Sequence, residues 1–176
     1  MSGHNKWSKI KHQKASTDAK KSKIFSKYSR LITTESKKAK GDVNSPGLAF
    51  IIEKARKENM SKDVIDRAVK KGLGNDAGSM EAITYEAYGP GGSAMIIEAL
   101  TDNRNKAAQE VKFILSKNGA NLAEIGAASW AFEKQGQGWA ANTTIDLEDE
   151  DLIKLEKLVD ELEDNDEVQT VYTNVE

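Results

Sequence analysis

The amino-acid sequence predicts an α+β protein: an N-terminal three-helix domain followed by a ferredoxin-like α/β domain with one extra hairpin strand. Two observations predict it. Charge is segregated along the 176 residues, because residues 1–80 carry 19 basic and 8 acidic side chains, a net of +11, while residues 81–176 carry 7 and 20, a net of -13. The period of the apolar positions also changes, from the 3.6 of helices before Gly72 to the 2 of strands beyond Met80. The expected domains are therefore 1–75 and 81–176, joined by a run of glycine and small polar residues after Gly72.

Lys6 to Lys40 hold twelve Lys/Arg against two acids, Asp18 and Glu35, with Trp7 and His12 interleaved. From Thr17 the apolar residues Ile24, Phe25, Tyr28, Leu31 and Ile32 share one helical face, and Lys20, Lys23, Lys27, Arg30 and Lys37 form a stripe beside it. Ser45 is the expected N-cap of a second helix, with Pro46 at its first position and Leu48, Ile51, Ile52 and Ala55 inward. Asn59-Met60 breaks that pattern, Ser61 caps a third helix carrying Val64, Ile65, Ala68 and Val69, and Gly72 is its expected stop.

Beyond the linker, residues 82–88 and 93–101 alternate as two strands around Gly89-Pro90-Gly91-Gly92. That loop lacks the lysine and the following helix of a phosphate-binding P-loop, so it reads as a turn. Asp102 or Asn103 is expected to cap a helix carrying Ala107, Val111, Ile114 and Leu115, which Gly119 ends. Arg104 in the first turn opposes the helix dipole, a placement that solvation alone tolerates and that a facing partner would also explain. A strand at 129–134 with Trp130 and Phe132 on one face, a short strand at 143–147, a helix over 148–163 and a last strand at 168–172 follow. From Ser93 the order is β-α-β-β-α-β, the ferredoxin-like arrangement.

The pattern excludes several function classes. With no cysteine there is no thiolate zinc site and no thiol nucleophile. The only histidines, His4 and His12, belong to no recognisable triad or metal pattern, and the acidic runs lack EF-hand spacing, so neither an enzyme, a metal nor a cofactor is expected. No apolar run approaches a membrane span, the start carries no secretory leader, and Ser2 rules out myristoylation, so a cytoplasmic location without membrane or small-molecule partners is expected. The basic arm and first helix fit a polyanion, because each phosphate neutralised by Lys or Arg releases condensed counterions. Trp7 is expected to stack on an unpaired base and His12 to add a hydrogen bond.

Five motifs in order are Met1-Ser-Gly-His-Asn-Lys-Trp-Ser-Lys-Ile-Lys-His-Gln-Lys-Ala, Asp18-Ala-Lys-Lys-Ser-Lys-Ile-Phe, Tyr85-Glu-Ala-Tyr-Gly-Pro-Gly-Gly, Thr101-Asp-Asn-Arg-Asn and Val168-Gln-Thr-Val-Tyr-Thr-Asn. Together they resemble the YebC family over nearly the whole chain. The resemblance implies a non-enzymatic regulator of gene expression, either a DNA-binding transcriptional regulator or a ribosome-associated translation factor that contacts rRNA or tRNA. It also implies an N-terminal helical domain and two α/β domains, the third inserted in the second. Here Phe132-Glu-Lys-Gln-Gly-Gln passes almost directly to Thr143-Thr-Ile-Asp, where a full-length relative carries the inserted domain. By motif match, the expected nucleic-acid contacts are Lys6, Trp7, Lys9, Lys11, His12 and Lys14 in the arm, Lys20, Lys21, Lys23, Lys27 and Arg30 on the first helix, and Asn103 and Arg104. The different reading for the acidic domain is a docking module for a basic partner.

Overall fold

A computed structural model of the chain describes Trp7, residues 18–75 and residues 80–176. The chain divides into two compact units, one spanning Ser16–Met80 and the other containing Glu81–Glu176 together with Trp7. The second unit departs from the expected division at 75–81 by claiming Trp7, for which the local sequence offers no signal.

Among the described residues the first unit holds three helices: α1 (Asp18–Lys38), α2 (Pro46–Lys57) and α3 (Lys62–Leu73). Ser45 takes the extended N-cap conformation ahead of Pro46, but its side chain makes no capping bond. The Ser61 hydroxyl does cap α3, accepting from the Val64 N–H at 3.4 Å. Asn59 ends α2 in the left-handed region (φ 65°), which asparagine tolerates, and the Met60 N–H returns to the Ala55 carbonyl at 3.0 Å. The turn thereby drops Met60 into a core of Ile32, Leu48, Ile51, Ile52, Ala55, Ile65, Ala68 and Val69.

Gly72 does not stop α3, contrary to expectation; the helix runs on to Leu73 and Gly74 caps it. A Cβ on Gly72 would lie 2.5 Å from the Thr33 carbonyl oxygen and 2.7 Å from Ser36 Cβ. The glycine is therefore a packing residue that lets α1 and α3 approach. Hydrogen bonds seal the same seam, from Ser36 Oγ to the Val69 carbonyl at 2.7 Å and from Thr33 Oγ1 to the Ala68 carbonyl at 3.2 Å.

The second unit holds strands β1 (Glu81–Tyr88), β2 (Ala94–Thr101), β3 (Asn121–Ala123), β4 (Phe132–Gln135), β5 (Gly138–Ala141) and β6 (Val168–Thr173), with helices α4 (Arg104–Lys117) and α5 (Asp149–Asp164). The main sheet has the order β3-β1-β2-β6, and all its neighbours are antiparallel. One face carries Ala87, Met95, Ile97 and Val171 beneath Val111 and Leu115 of α4 and Leu152, Leu155, Leu158 and Leu162 of α5. On the other, Ala94 and Ile96 pack with Ala131, Phe132, Tyr88, Trp139 and Tyr172. Covered on both faces, β2 is apolar almost throughout, which explains its run Ala94-Met-Ile-Ile.

The chain is α+β, but its strand order corrects the expected ferredoxin-like unit. Residues 129–131 form a 3-10 turn rather than the start of a strand, and β4 pairs with β5 in a separate two-stranded hairpin. Gly136, in the left-handed region at φ 62°, begins the two-residue connection that folds β4 back on itself. Residues 143–147 contribute only the parallel bridge Ile145–Val175 among the described residues. The sheet instead recruits Asn121–Ala123, a strand too short to show alternation.

Candidate nucleic-acid interface

The basic stripe sits on α1. Ile32 and Ser36 are buried on its packed side, where Phe25, Tyr28 and Leu31 are half-buried against the core. Burial, and secondarily the Glu58 carboxylate, raise the Tyr28 hydroxyl above its ordinary value, which marks that side as the apolar one. At about 100° per residue, Lys23, Arg30 and Lys37 point the opposite way. Lys21 is exposed, while Lys20, Lys23, Lys27 and Arg30 are half-buried.

Helix electrostatics separate these cations into two groups. Lys37 and Lys38 lie in the last turn of α1, Lys54, Arg56 and Lys57 in that of α2, and Lys70 and Lys71 in that of α3. There a positive charge is favoured by the helix dipole and needs no ligand. Several also have partners within the unit: Lys38 pairs with Glu35 at 2.7 Å, Lys57 with Glu53 at 3.1 Å, and Lys54 lies 4.5 Å over the Phe50 ring. Lys20, Lys21 and Lys23 instead lie toward the N-terminal side of α1, where Asp18 is the acid of the first turn.

Of the arm, Lys6, Lys9, Lys11, His12 and Lys14 lie outside the described residues. Trp7 is described, and its position corrects the expected stacking role: it is only 8% exposed and belongs to the core of the α/β unit with Met95, Leu152 and Leu155. An indole enclosed this way presents no face to a base in this conformation. Burial of so large an apolar ring stabilises its host unit instead.

Asn103 and Arg104 also have internal duties. The Asn103 side-chain oxygen accepts from the Lys106 N–H at 3.1 Å, making it the N-cap of α4, and the Asn103 N–H donates to Thr101 Oγ1 at 2.9 Å. Arg104 Nη1 lies 3.3 Å from Glu81 Oε1, an exposed pair that offsets the unfavourable position of the cation. These residues stand on the α/β unit, whereas the lysine stripe stands on the helical one.

Glu86 is a further buried charged group, with no sign of its role in the local sequence. Alternation places it on the face of β1 opposite Ala87, as for a solvated carboxylate, yet it is only 7% exposed. It accepts backbone N–H bonds from Gly126 at 2.6 Å, Ala128 at 3.0 Å and Ser129 at 2.5 Å. Burial raises the carboxyl's pKa, but the three backbone donors and the Ser129 hydroxyl together outweigh it and hold the group below its ordinary value. No local signal reveals this, because the donors come from a loop some forty residues away. Among the described residues, no three His, Cys, Asp or Glu side chains are grouped to hold a metal ion, and no helix is long and apolar enough to cross a membrane.

Comparison with known proteins agrees with this architecture. The crystal structure of a conserved hypothetical protein from Aquifex aeolicus superposes with a TM-score of 0.83 at 29% identity, covering 95% of each chain. A "probable transcriptional regulatory protein" of Fervidobacterium nodosum is 46% identical over 171 residues, 96% of this chain and 68% of that protein. One of the same name from Halothermothrix orenii is 44% identical over 99% of this chain and 70% of its own length. Residues 5–75 match the profile of the TACO1/YebC protein N-terminal domain. Residues 80–138 and 137–175 match that of the TACO1/YebC second and third domain, the two stretches meeting at the β4–β5 turn. With both profiles spanning nearly its whole length, the chain belongs to the TACO1/YebC family.

Proposed function

We propose that this protein is a non-enzymatic regulator of gene expression that binds nucleic acid through α1, with duplex DNA as the leading target. The observation that carries the reading is the concentration of basic side chains along α1, Lys20, Lys21, Lys23, Lys27 and Arg30, within residues 1–80 whose net charge is +11. A phosphate backbone neutralises such a concentration of cations with release of condensed counterions. The names of the relatives, both of them "probable transcriptional regulatory protein", support the same reading. Nothing in the stripe requires base-specific contacts, so the affinity is expected to be salt-dependent and weakly selective. The protein is expected to act in the cytoplasm, where such targets lie.

The test is binding of the full chain to duplex DNA and, in parallel, to ribosomes, across a salt series. Charge reversal of Lys20, Lys23 and Lys27 to Glu is expected to abolish DNA binding near physiological salt. In milder Lys→Gln form, the three changes should lower the slope of log K against log salt by roughly 2–3, about 0.9 for each lost phosphate contact. Unchanged DNA affinity in the reversal variant would remove α1 as the site. Tight ribosome binding with no DNA binding would replace the transcriptional reading with a translational one.

A further inference from the structure

Two large apolar side chains on one short segment of the α/β unit stand in solvent: Ile125 is 98% exposed and Trp130 56%. A loose backbone does not account for them. The Glu86 carboxylate holds the peptide groups of Gly126 and Ser129, the residues next to Ile125 and Trp130. The Trp130 indole N–H donates to the Tyr88 hydroxyl at 2.9 Å, and that hydroxyl donates to the Ala127 carbonyl at 2.5 Å. An indole whose single donor is satisfied internally while its ring faces outward is preorganised for apolar contact, and tryptophan is enriched among residues that dominate protein interfaces.

The surroundings define the partner's charge. Glu124 and Glu133 are exposed beside this segment. Lys134, the nearest cation in sequence, lies 3.9 Å from the Glu98 carboxylate and 4.2 Å over the Trp139 ring. Residues 81–176 carry a net charge of -13. Such a surface repels a phosphate chain and attracts a polycation. Immediately before the segment, β3 is the outermost strand of the sheet, paired only with β1 among the described residues.

We infer that the segment bearing Ile125 and Trp130 is a docking surface for a basic polypeptide with apolar side chains: the apolar pair anchors it and the acidic rim selects its charge. The inference stands apart from the nucleic-acid reading, since it uses only groups of the α/β unit.

Calorimetric titration of the full chain with a synthetic peptide of alternating lysine and leucine tests it, with Glu–Leu and Lys–Ser peptides as controls. Expected is binding of the Lys–Leu peptide, none of the Glu–Leu peptide, and about tenfold weaker binding of the Lys–Ser peptide. Ile125→Thr, and Glu124→Lys combined with Glu133→Lys, should each weaken Lys–Leu binding about tenfold while leaving the thermal midpoint and DNA affinity unchanged. Three results would overturn the inference: equal binding of the Glu–Leu peptide, unchanged affinity in the Ile125→Thr variant, or a concentration-dependent dimer in sedimentation that Ile125→Thr dissolves while the Lys–Leu peptide does not bind.

Discussion

Replacing Glu86 with glutamine removes a charge and an acceptor from a carboxylate that receives three backbone N–H donors while only 7% exposed. Oε1 serves Ala128 and Ser129, and Oε2 serves Gly126. A glutamine that keeps its carbonyl oxygen on the first two turns its amide NH2 toward the Gly126 N–H, setting donor against donor. The opposite rotamer abandons two bonds instead of one. Hydrogen bonds to a charged acceptor contribute about 1.5–3 kcal/mol, and a donor left unsatisfied in the interior costs about 1–3 kcal/mol, so a loss of about 2–4 kcal/mol is expected.

The sign of the pH dependence follows from the lowered folded-state pKa. Stability contributed by Glu86 is fully present above the ordinary unfolded value of 4.5 and is lost as the pH falls through the lower folded value. The gap between wild type and Glu86→Gln should therefore be constant near neutrality and narrow in acid. The three tryptophans, Trp7, Trp130 and Trp139, all belong to the α/β unit, so urea unfolding followed by tryptophan fluorescence reports on that unit alone. A variant within about 0.5 kcal/mol of wild type at neutral pH, or a gap that persists in acid, would refute the assigned role, because surface substitutions normally fall in that range.

Two further predictions concern packing. Trp7→Ala in the full chain should destabilise the α/β unit by about 3–5 kcal/mol in urea unfolding followed by far-UV circular dichroism, the usual loss for a large buried aromatic; an unchanged midpoint would return Trp7 to the role of an exposed stacking residue. Gly72→Ala should destabilise the helical unit by about 1–3 kcal/mol through collision with Thr33 and Ser36, although alanine is favoured in helices by about 1 kcal/mol. A net stabilisation in the same assay would show that α1 and α3 part easily.

The helices were legible because their signals are local. Period, cap and stop lie within one segment: Pro46 opens α2, Ser61 caps α3 and Asn103 caps α4. The β1–β2 hairpin was legible for the same reason, its strands flanking a Pro-Gly-Gly turn. Residues 129–147 were misread because Trp130 and Phe132 have the spacing of one strand face, while a 3-10 turn ending at Ala131 sends Phe132 inward and leaves Trp130 outside. Gly72 was misread because a glycine that ends a helix and one that admits a neighbouring helix look alike until that neighbour is placed.

At the candidate site, the lysine stripe could be drawn from helical period alone, since charge and angle are properties of the segment. What the partners of distant residues decide could not. Whether Trp7 faces solvent or a core depends on the apolar cluster that the sheet and helices of the α/β unit assemble, and whether Glu86 is solvated depends on three N–H groups from a distant loop. The α+β class, the helices and the separation of +11 from -13 are legible along the chain, because composition, period and caps act over a few residues. That Asn121–Ala123 completes the sheet, that β4 and β5 cover its other face and that Trp7 is part of a core emerge only when the chain is folded. Strand partners and buried contacts are settled by segments far apart in the chain, whose meeting no local pattern encodes.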